Sequence, residues 1–235
     1  MYRNLTWLLP IVAALVLTAC SSKAPTEEEL ALANVPSKAT LKEVDYSQDE
    51  RGVQWIAADI DPEYYTALLI APVQLAADAK REKQIPVAVL TKLGQVLTQR
   101  LQASVKAPVT LKTSPGEHTV QLNLRVSRAS AVPEDMRLTE VIPVGAVIGA
   151  LKMAAGTRDE SVRIVIEAQL VDSVTKAPLA ERIAVMSAAG VLENDHSTLK
   201  FEQIQGAVDD FVNEVRTFVY SAAYQVRQQQ TQVGS

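Results

Sequence analysis

Cysteine occurs once in the 235 residues, at Cys20, and histidine twice, at His118 and His196. A lone thiol excludes an internal disulfide, a multi-cysteine zinc site and an iron–sulfur cluster, and two imidazoles so far apart form no local metal motif. No cofactor is expected. Aromatic residues make up only 5% of the chain, and Lys and Arg are scattered singly. That excludes the basic, aromatic-interleaved surface that nucleic acid requires. No apolar run reaches the roughly 20 residues that a membrane-crossing helix needs. What is there is 48% hydrophobic and 21% charged, with a formal net charge of -4. This is a globular composition, and the length suits one domain of ordinary size with appendages.

Residues 1–19 have the layout of an export signal: a positive start at Arg3, an apolar run from Leu5 to Leu17 broken by Thr6 and Pro10, then small residues. The segment Leu17-Thr18-Ala19-Cys20 resembles the lipobox of bacterial lipoproteins. The resemblance implies cleavage before Cys20 and acylation of its thiol and new amino group. Acyl chains partition into a bilayer at about 0.8 kcal/mol per methylene, and more than one chain makes the attachment stable. The membrane is therefore one expected partner. Ser21 and Ser22 follow in place of Asp, as in lipoproteins sorted to the outer membrane, so the expected address is the periplasmic face of that membrane. Loss of Arg3 with the signal takes the net charge of -4 to about -5.

Residues 20–52 read as the lipidated Cys and a flexible tether, with Pro25, Pro36, the run Glu27-Glu28-Glu29 and the polar stretch Ser47 to Arg51. A coil of this length reaches roughly 30 Å. Within it, Glu27 to Asn34 predicts a short helix capped by Thr26, and the acidic triplet reads as a solvated face. Residues 53–228 read as a single globular domain, and residues 229–235 as a frayed tail.

Val53 to Asp59 and Ala67 to Leu75 predict two strands around the turn-rich Asp59-Ile60-Asp61-Pro62. Leu68, Leu69 and Ile70 suit a strand covered on both faces, with Pro72 ending its pairing or marking a bulge. From Pro86 to Val105, the residues Val89, Leu90, Leu93, Val96, Leu97 and Leu101 form one helical stripe. A short strand is expected at Val109 to Lys112. Then Val120, Leu122, Leu124 and Val126 alternate with polar residues, as do Val162, Ile164, Ile166, Ala168 and Leu170 with their neighbours. Leu179 to Ala188 follows after the turn residues Ser173 to Pro178, which favours an antiparallel hairpin. The last element, Leu199 to Gln228, carries Phe201, Ile204, Val208, Phe211, Val215, Phe218, Ala222 and Val226 at three- and four-residue steps, with Ser197 or Thr198 available as cap. The expected fold class is α/β in an α+β-like form: a mixed, mostly antiparallel sheet with two long amphipathic helices packed on it.

The order of several short segments resembles an uncharacterised bacterial lipoprotein family, the domain of unknown function three-three-one-three. The segments are Leu68-Leu69-Ile70-Ala71-Pro72-Val73, then Ser114-Pro115-Gly116 before Leu122-Asn123-Leu124-Arg125, then Val141-Ile142-Pro143-Val144-Gly145, the stretch Val165 to Ser173 and the terminal helix. The resemblance covers roughly residues 40 to 225. Where that family often has Thr-Gly after Asp-Ser, this chain has Thr175-Lys176. The family carries no known activity, so the resemblance implies no catalytic residues.

No enzyme motif is found, and no catalytic residue is assigned. Glu167, mid-strand, reads as a cross-strand partner of Arg125 or Arg182, worth about 1 kcal/mol or less. Asp172 and Ser173 read as turn-closing residues. The unusual stretch is Val141 to Gly156, almost wholly apolar except for Lys152. Three readings stay open: a buried helix or loop, an exposed patch of Val144, Gly145, Ile148, Gly149 and Leu151 that docks a partner or ligand, and a membrane-inserting segment. The expected function is a non-enzymatic, lipid-anchored lipoprotein that binds or scaffolds an envelope component, with an envelope protein or an apolar ligand as partner. The alternatives are an accessory lipoprotein of an envelope transport machine and an envelope hydrolase without a recognisable motif.

Overall fold

A computed structural model of the chain describes residues 24–45, 51–61, 63–106, 109–133, 159–194 and 196–233, with side chains through residue 223. Cys20 and the Val141 to Gly156 patch lie outside the described residues.

The strands β7 (Glu160–Asp172) and β8 (Pro178–Leu192) at the centre of the sheet are joined as the expected antiparallel hairpin. Their turn is closed by Asp172, whose Oδ1 accepts from the amides of Val174 at 2.9 Å and Thr175 at 2.8 Å. The hydrogen bonds from these amides, Thr175 first, hold the Asp172 carboxyl below its usual range. Lys176 then takes φ 63°, the left-handed region where a glycine would be free of Cβ crowding. Its Nζ reaches Gln121 Oε1 at 2.7 Å and the Ser173 carbonyl at 2.6 Å, which offsets part of that cost.

Around this hairpin the strand order is β1-β2-β8-β7-β6-β3-β5, with β4 pairing β6. The flanking strands are β1 (Lys42–Asp45), β2 (Arg51–Ile56), β3 (Ala67–Ile70), β4 (Gln74–Leu75), β5 (Thr110–Lys112) and β6 (Thr119–Pro133). The pairs from β1 through β6 are antiparallel, whereas β3 runs parallel to both β6 and β5. This is the mixed, mostly antiparallel sheet expected from the sequence. Pro72 does break the third strand: the chain leaves β3, steps out at Pro72 and Val73, and returns to β6 as β4. A register shift in β6 between Val126 and Arg128 keeps Leu122, Leu124, Val126 and then Ala129 on the same buried face.

That inner face is covered by α2 (Val87–Ser104) and α3 (Gln205–Val233), with the 3-10 turn Phe201–Ile204 leading into the latter. Leu90, Leu93, Leu97 and Leu101 of the predicted stripe are all buried, as are Val208, Phe211, Val215 and Phe218. The helices run side by side in the same direction, since Lys92 pairs with Glu202 at 3.0 Å and Arg100 with Asp209. Gly94 permits the close seating of α2, because a Cβ there would lie 3.3 Å from Val73 Cβ. The cap of the terminal helix differs from expectation: Lys200 fills that place, its amide donating to Gln203 Oε1 at 2.7 Å. The helix also continues to Val233, past Gln228.

The tether reading of residues 20–52 is corrected over residues 24–45, which pack on the outer face of the sheet. Helix α1 (Glu27–Leu32) forms with Thr26 as cap, completed by a reciprocal bond from Glu29. Behind it, Ala33 and Val35 cover Val53, Val165, Ile183 and Val185. The strand β1 extends the sheet edge. Of the acidic triplet, Glu27 and Glu28 are exposed, as a solvated face would be, whereas Glu29 is only 7% exposed.

One ion pair lies deep under α3. Arg182 donates through Nη1 to the Glu214 carbonyl at 3.0 Å and through Nη2 to the Glu214 carboxylate, both side chains being buried. Thus Arg182 is taken by α3, and Glu167 pairs with Arg125 instead, at 3.2 Å across the β6–β7 ladder. Removing one member of a buried pair costs about 3–5 kcal/mol, whereas replacing both with apolar side chains can be neutral. Arg182→Met alone is therefore expected to lower the urea midpoint strongly, and Arg182→Met with Glu214→Leu to recover most of it.

Candidate functional site

Two places on the molecule hold features beyond those needed for a packed sheet: the clamp that fixes the leader on the outer face, and a cavity on the inner face.

The clamp uses side chains from alternate positions of β7 and β8, which the strand period puts on one face. Arg163 binds Glu29 through both Nε, at 3.2 Å, and Nη2, at 2.9 Å, and Nη2 also donates to the Ala24 carbonyl at 3.0 Å. Glu167 Oε1 accepts from the Asn34 amide at 3.1 Å. Glu181 accepts from the Ser37 amide at 2.9 Å and from its hydroxyl. Nearer the edge, Arg128 pairs with Glu28 at 2.7 Å. Burial pushes the Glu29 carboxyl up, but the Arg163 hydrogen bonds and charge, together with the Thr26 amide, bring it below its ordinary value of 4.5. Glu167 thus keeps the expected cross-strand partner and gains a second task, holding the leader.

The cavity, of about 140 Å³, lies at the other end of the sheet, between the C-terminal turns of α2, the second half of α3 and the first residues of β3 and β6. Side-chain size explains it. All three phenylalanines of the chain, Phe201, Phe211 and Phe218, are spent on the first half of the α3 region. One turn further on, the core positions carry Ala222 and Ala223, facing Ala67, Leu122 and Leu170. Side chains this small leave unfilled space where Leu or Phe would close it.

The lining is apolar apart from a few groups at its rim. Ser104 Oγ donates to the Leu101 carbonyl at 2.7 Å, and Tyr65 donates its hydroxyl to Asp172 Oδ2 at 3.1 Å. Burial and that bond to Asp172 push the Tyr65 hydroxyl up to about 12, so it stays protonated. The charged lining residues are Lys106 and Arg216, both cationic, with no carboxylate, His or Cys among the described lining residues. Arg216 Nη1 donates to Asn213 Oδ1 at 3.3 Å, while its buried Nε–H has no acceptor among the described residues. A buried donor left without an acceptor costs about 1–3 kcal/mol or more. A shallower trough of about 290 Å³ between α2 and β4 is floored by Gly94 and Val73 and carries no charged lining residue.

His118 is exposed, with Nδ1 2.9 Å from the Tyr64 carbonyl, and lies outside the cavity lining, as does His196. Among the described residues, no hydrogen bond joins either imidazole to a Ser, Thr or Cys side chain. Among the described residues no group of three or more His, Cys, Asp or Glu is placed to hold a metal ion, and no helix is long and apolar enough to cross a membrane. Sequence reasoning missed both the clamp and the cavity. The replacement of Phe by Ala along the α3 stripe was the available signal for the cavity. The clamp had none, because its partners are 100 or more residues apart.

A family profile described as protein of unknown function (DUF3313) matches residues 33–215. No curated relative matches the sequence. Similar solved structures include a homolog of the neuraminyllactose-binding hemagglutinin from Helicobacter pylori, with TM-score 0.41 and 8% identity over 72% of this chain and 91% of that one. A hypothetical protein from Chlamydia trachomatis has TM-score 0.42 and 9% identity over 68% and 98%. Lipoprotein GNA1162 from Neisseria meningitidis has TM-score 0.34 and 12% identity over 66% and 99%.

Because the Glu29 carboxyl is held below 4.5, its contribution to leader docking is present above that pH and is lost as pH falls through the lowered value. Amide exchange at Thr26, whose N–H donates to Glu29 Oε2 at 2.7 Å, should therefore be flat from pH 7 to 5, after correction for intrinsic rates, and accelerate in more acid solution. Glu29→Gln should remove that acid-dependent step.

Proposed function

The chain belongs to the DUF3313 family, whose description assigns no activity, and on that premise we propose from the residues themselves that it is a non-enzymatic, lipid-anchored envelope lipoprotein that binds an apolar component. The observation that carries the binding half is the cavity at the α2–α3 end, an apolar recess with a few polar groups at its rim and no nucleophile–base pair among its described lining residues. Concave apolar sites with sparse, placed polar groups are the usual form of a small-molecule site.

The anchoring half rests on the sequence around Cys20, and the packed leader sharpens it. Ala24 is already fixed to Arg163, so three residues, Ser21, Ser22 and Lys23, lie between it and the acylated Cys20. Extended, the chain from Cys20 to Ala24 spans at most about 14 Å. The domain then sits against the lipid surface instead of ranging roughly 30 Å from it. Ser21 and Ser22 support the outer membrane, periplasmic face, as its address. Arg163 lies three residues along β7 from Glu160, where the sequence after Pro133 rejoins the sheet. We assign a partner-docking role to the apolar sequence with Val144, Gly145, Ile148, Gly149 and Leu151, which falls between Pro133 and Glu160 in the chain. The accessory role in an envelope transport machine stands as the second reading, favoured by a cavity set at the far end from the anchor.

Mass spectrometry of the mature protein is expected to find Cys20 at the amino terminus carrying acyl mass, and Cys20→Ala to leave the protein in the soluble periplasmic fraction. A bare thiol with residues 1–19 still attached would overturn the anchored reading.

A further inference from the structure

The cavity does more than offer apolar surface. Its volume of about 140 Å³ is close to that of an engineered cavity that holds one benzene molecule, so about six carbon atoms fit and a pair of lipid chains does not. Its charged lining is one-signed, Lys106 and Arg216, in a chain whose net charge is -4. The Arg216 Nε–H is buried beside it with no acceptor among the described residues. On its own helix, Arg216 meets Asn213, and Tyr220 stands one turn further on, exposed.

We propose that this cavity takes the tail of a single-chain amphiphile whose anionic head, a carboxylate or a phosphate monoester, is received by Arg216 with Lys106 beside it. The inference rests on the binding reading given above and names the ligand class for it. A tail of about six buried carbons fills the space left by Ala67, Ala222 and Ala223. The head oxygen accepts from the Arg216 guanidinium that lines the cavity, and a charge-assisted bond of this kind is stronger than one between neutral groups. Recognition is thus divided between shape, which admits one chain, and charge, which admits one sign of head.

The test uses the mature chain with Cys20→Ala, so that no acyl group of its own competes. Decanoate, decyl phosphate, decanol and decyltrimethylammonium are titrated separately, below their micelle concentrations, with binding followed by calorimetry and by the methyl resonances of Ala67, Ala222 and Ala223. Decanoate or decyl phosphate should bind one-to-one and shift those methyls, whichever is tighter identifying the head, and decyltrimethylammonium should bind at least tenfold more weakly. Arg216→Gln should weaken the tighter anion about tenfold while changing decanol less than twofold. Ala222→Leu should abolish binding of every probe with no loss in thermal midpoint. Phosphatidylglycerol vesicles should leave the methyls unshifted.

Absence of saturable anion binding, equal affinity for the cationic probe, or an equal loss of decanol in Arg216→Gln would overturn the proposal, as would methyl shifts with vesicles. None of these results bears on acylation at Cys20, which the mass measurement decides separately.

Discussion

A charge carried on a strand that is covered on both faces must be given a partner, or the strand cannot stay covered. Among the charges of the central hairpin are Arg163, Glu167, Glu181 and Arg182, and the last three are 2% exposed or less. Alternation along the strands sends Arg182 inward to Glu214 and the other three outward to the leader. The layers on both faces are therefore fixed by polar complementarity as well as by apolar area. The leader in particular is a short piece of chain whose main-chain amides at Asn34 and Ser37 donate to the buried carboxylates of Glu167 and Glu181.

This arrangement gives the described part of the molecule two distinct ends. At one, Ala24 is tied to Arg163, and the strands β6 and β7 part at Pro133 and Glu160. At the other, the helices diverge in side-chain size from Phe to Ala and leave a recess over the start of β3 and β6. Helix α2 stops at Ser104 while α3 runs on to Val233, and α3 lines the recess with Arg216, Val219, Tyr220, Ala222 and Ala223. The sheet is a rigid spacer between the two ends, because its long strands are paired over most of their length.

Much of the fold was legible because periodicity is a local property. The alternation of Leu122, Leu124 and Val126, the stripe of Leu90, Leu93, Leu97 and Leu101, and the stripe through Phe211 and Phe218 each report one buried face within a window of a few turns. The pair Arg125–Glu167 was legible for a similar reason, since two facing strands in one hairpin order bring opposite charges together. The leader was misread because three consecutive glutamates carry the same signature whether they meet water or an arginine. Only the position of Arg163 on the far hairpin distinguishes the two. The Thr175-Lys176 turn illustrates the reverse case: Lys occupies a left-handed position that local preference would give to Gly, and Asp172 and Gln121 hold it there.

By itself, the order of side chains determined which stretches become strands and helices, where the helix α1 is capped and which faces turn inward, since these follow from backbone preference and from the period of apolar residues. The lipobox-like segment that ends in the lone Cys20 is equally local. Only the tertiary structure decided that the leader is bound rather than free, that Arg182 chooses Glu214 over Glu167, and that a recess opens beside Arg216. Each of these depends on groups far apart along the chain meeting at one point, and on the volume left between layers once they have packed.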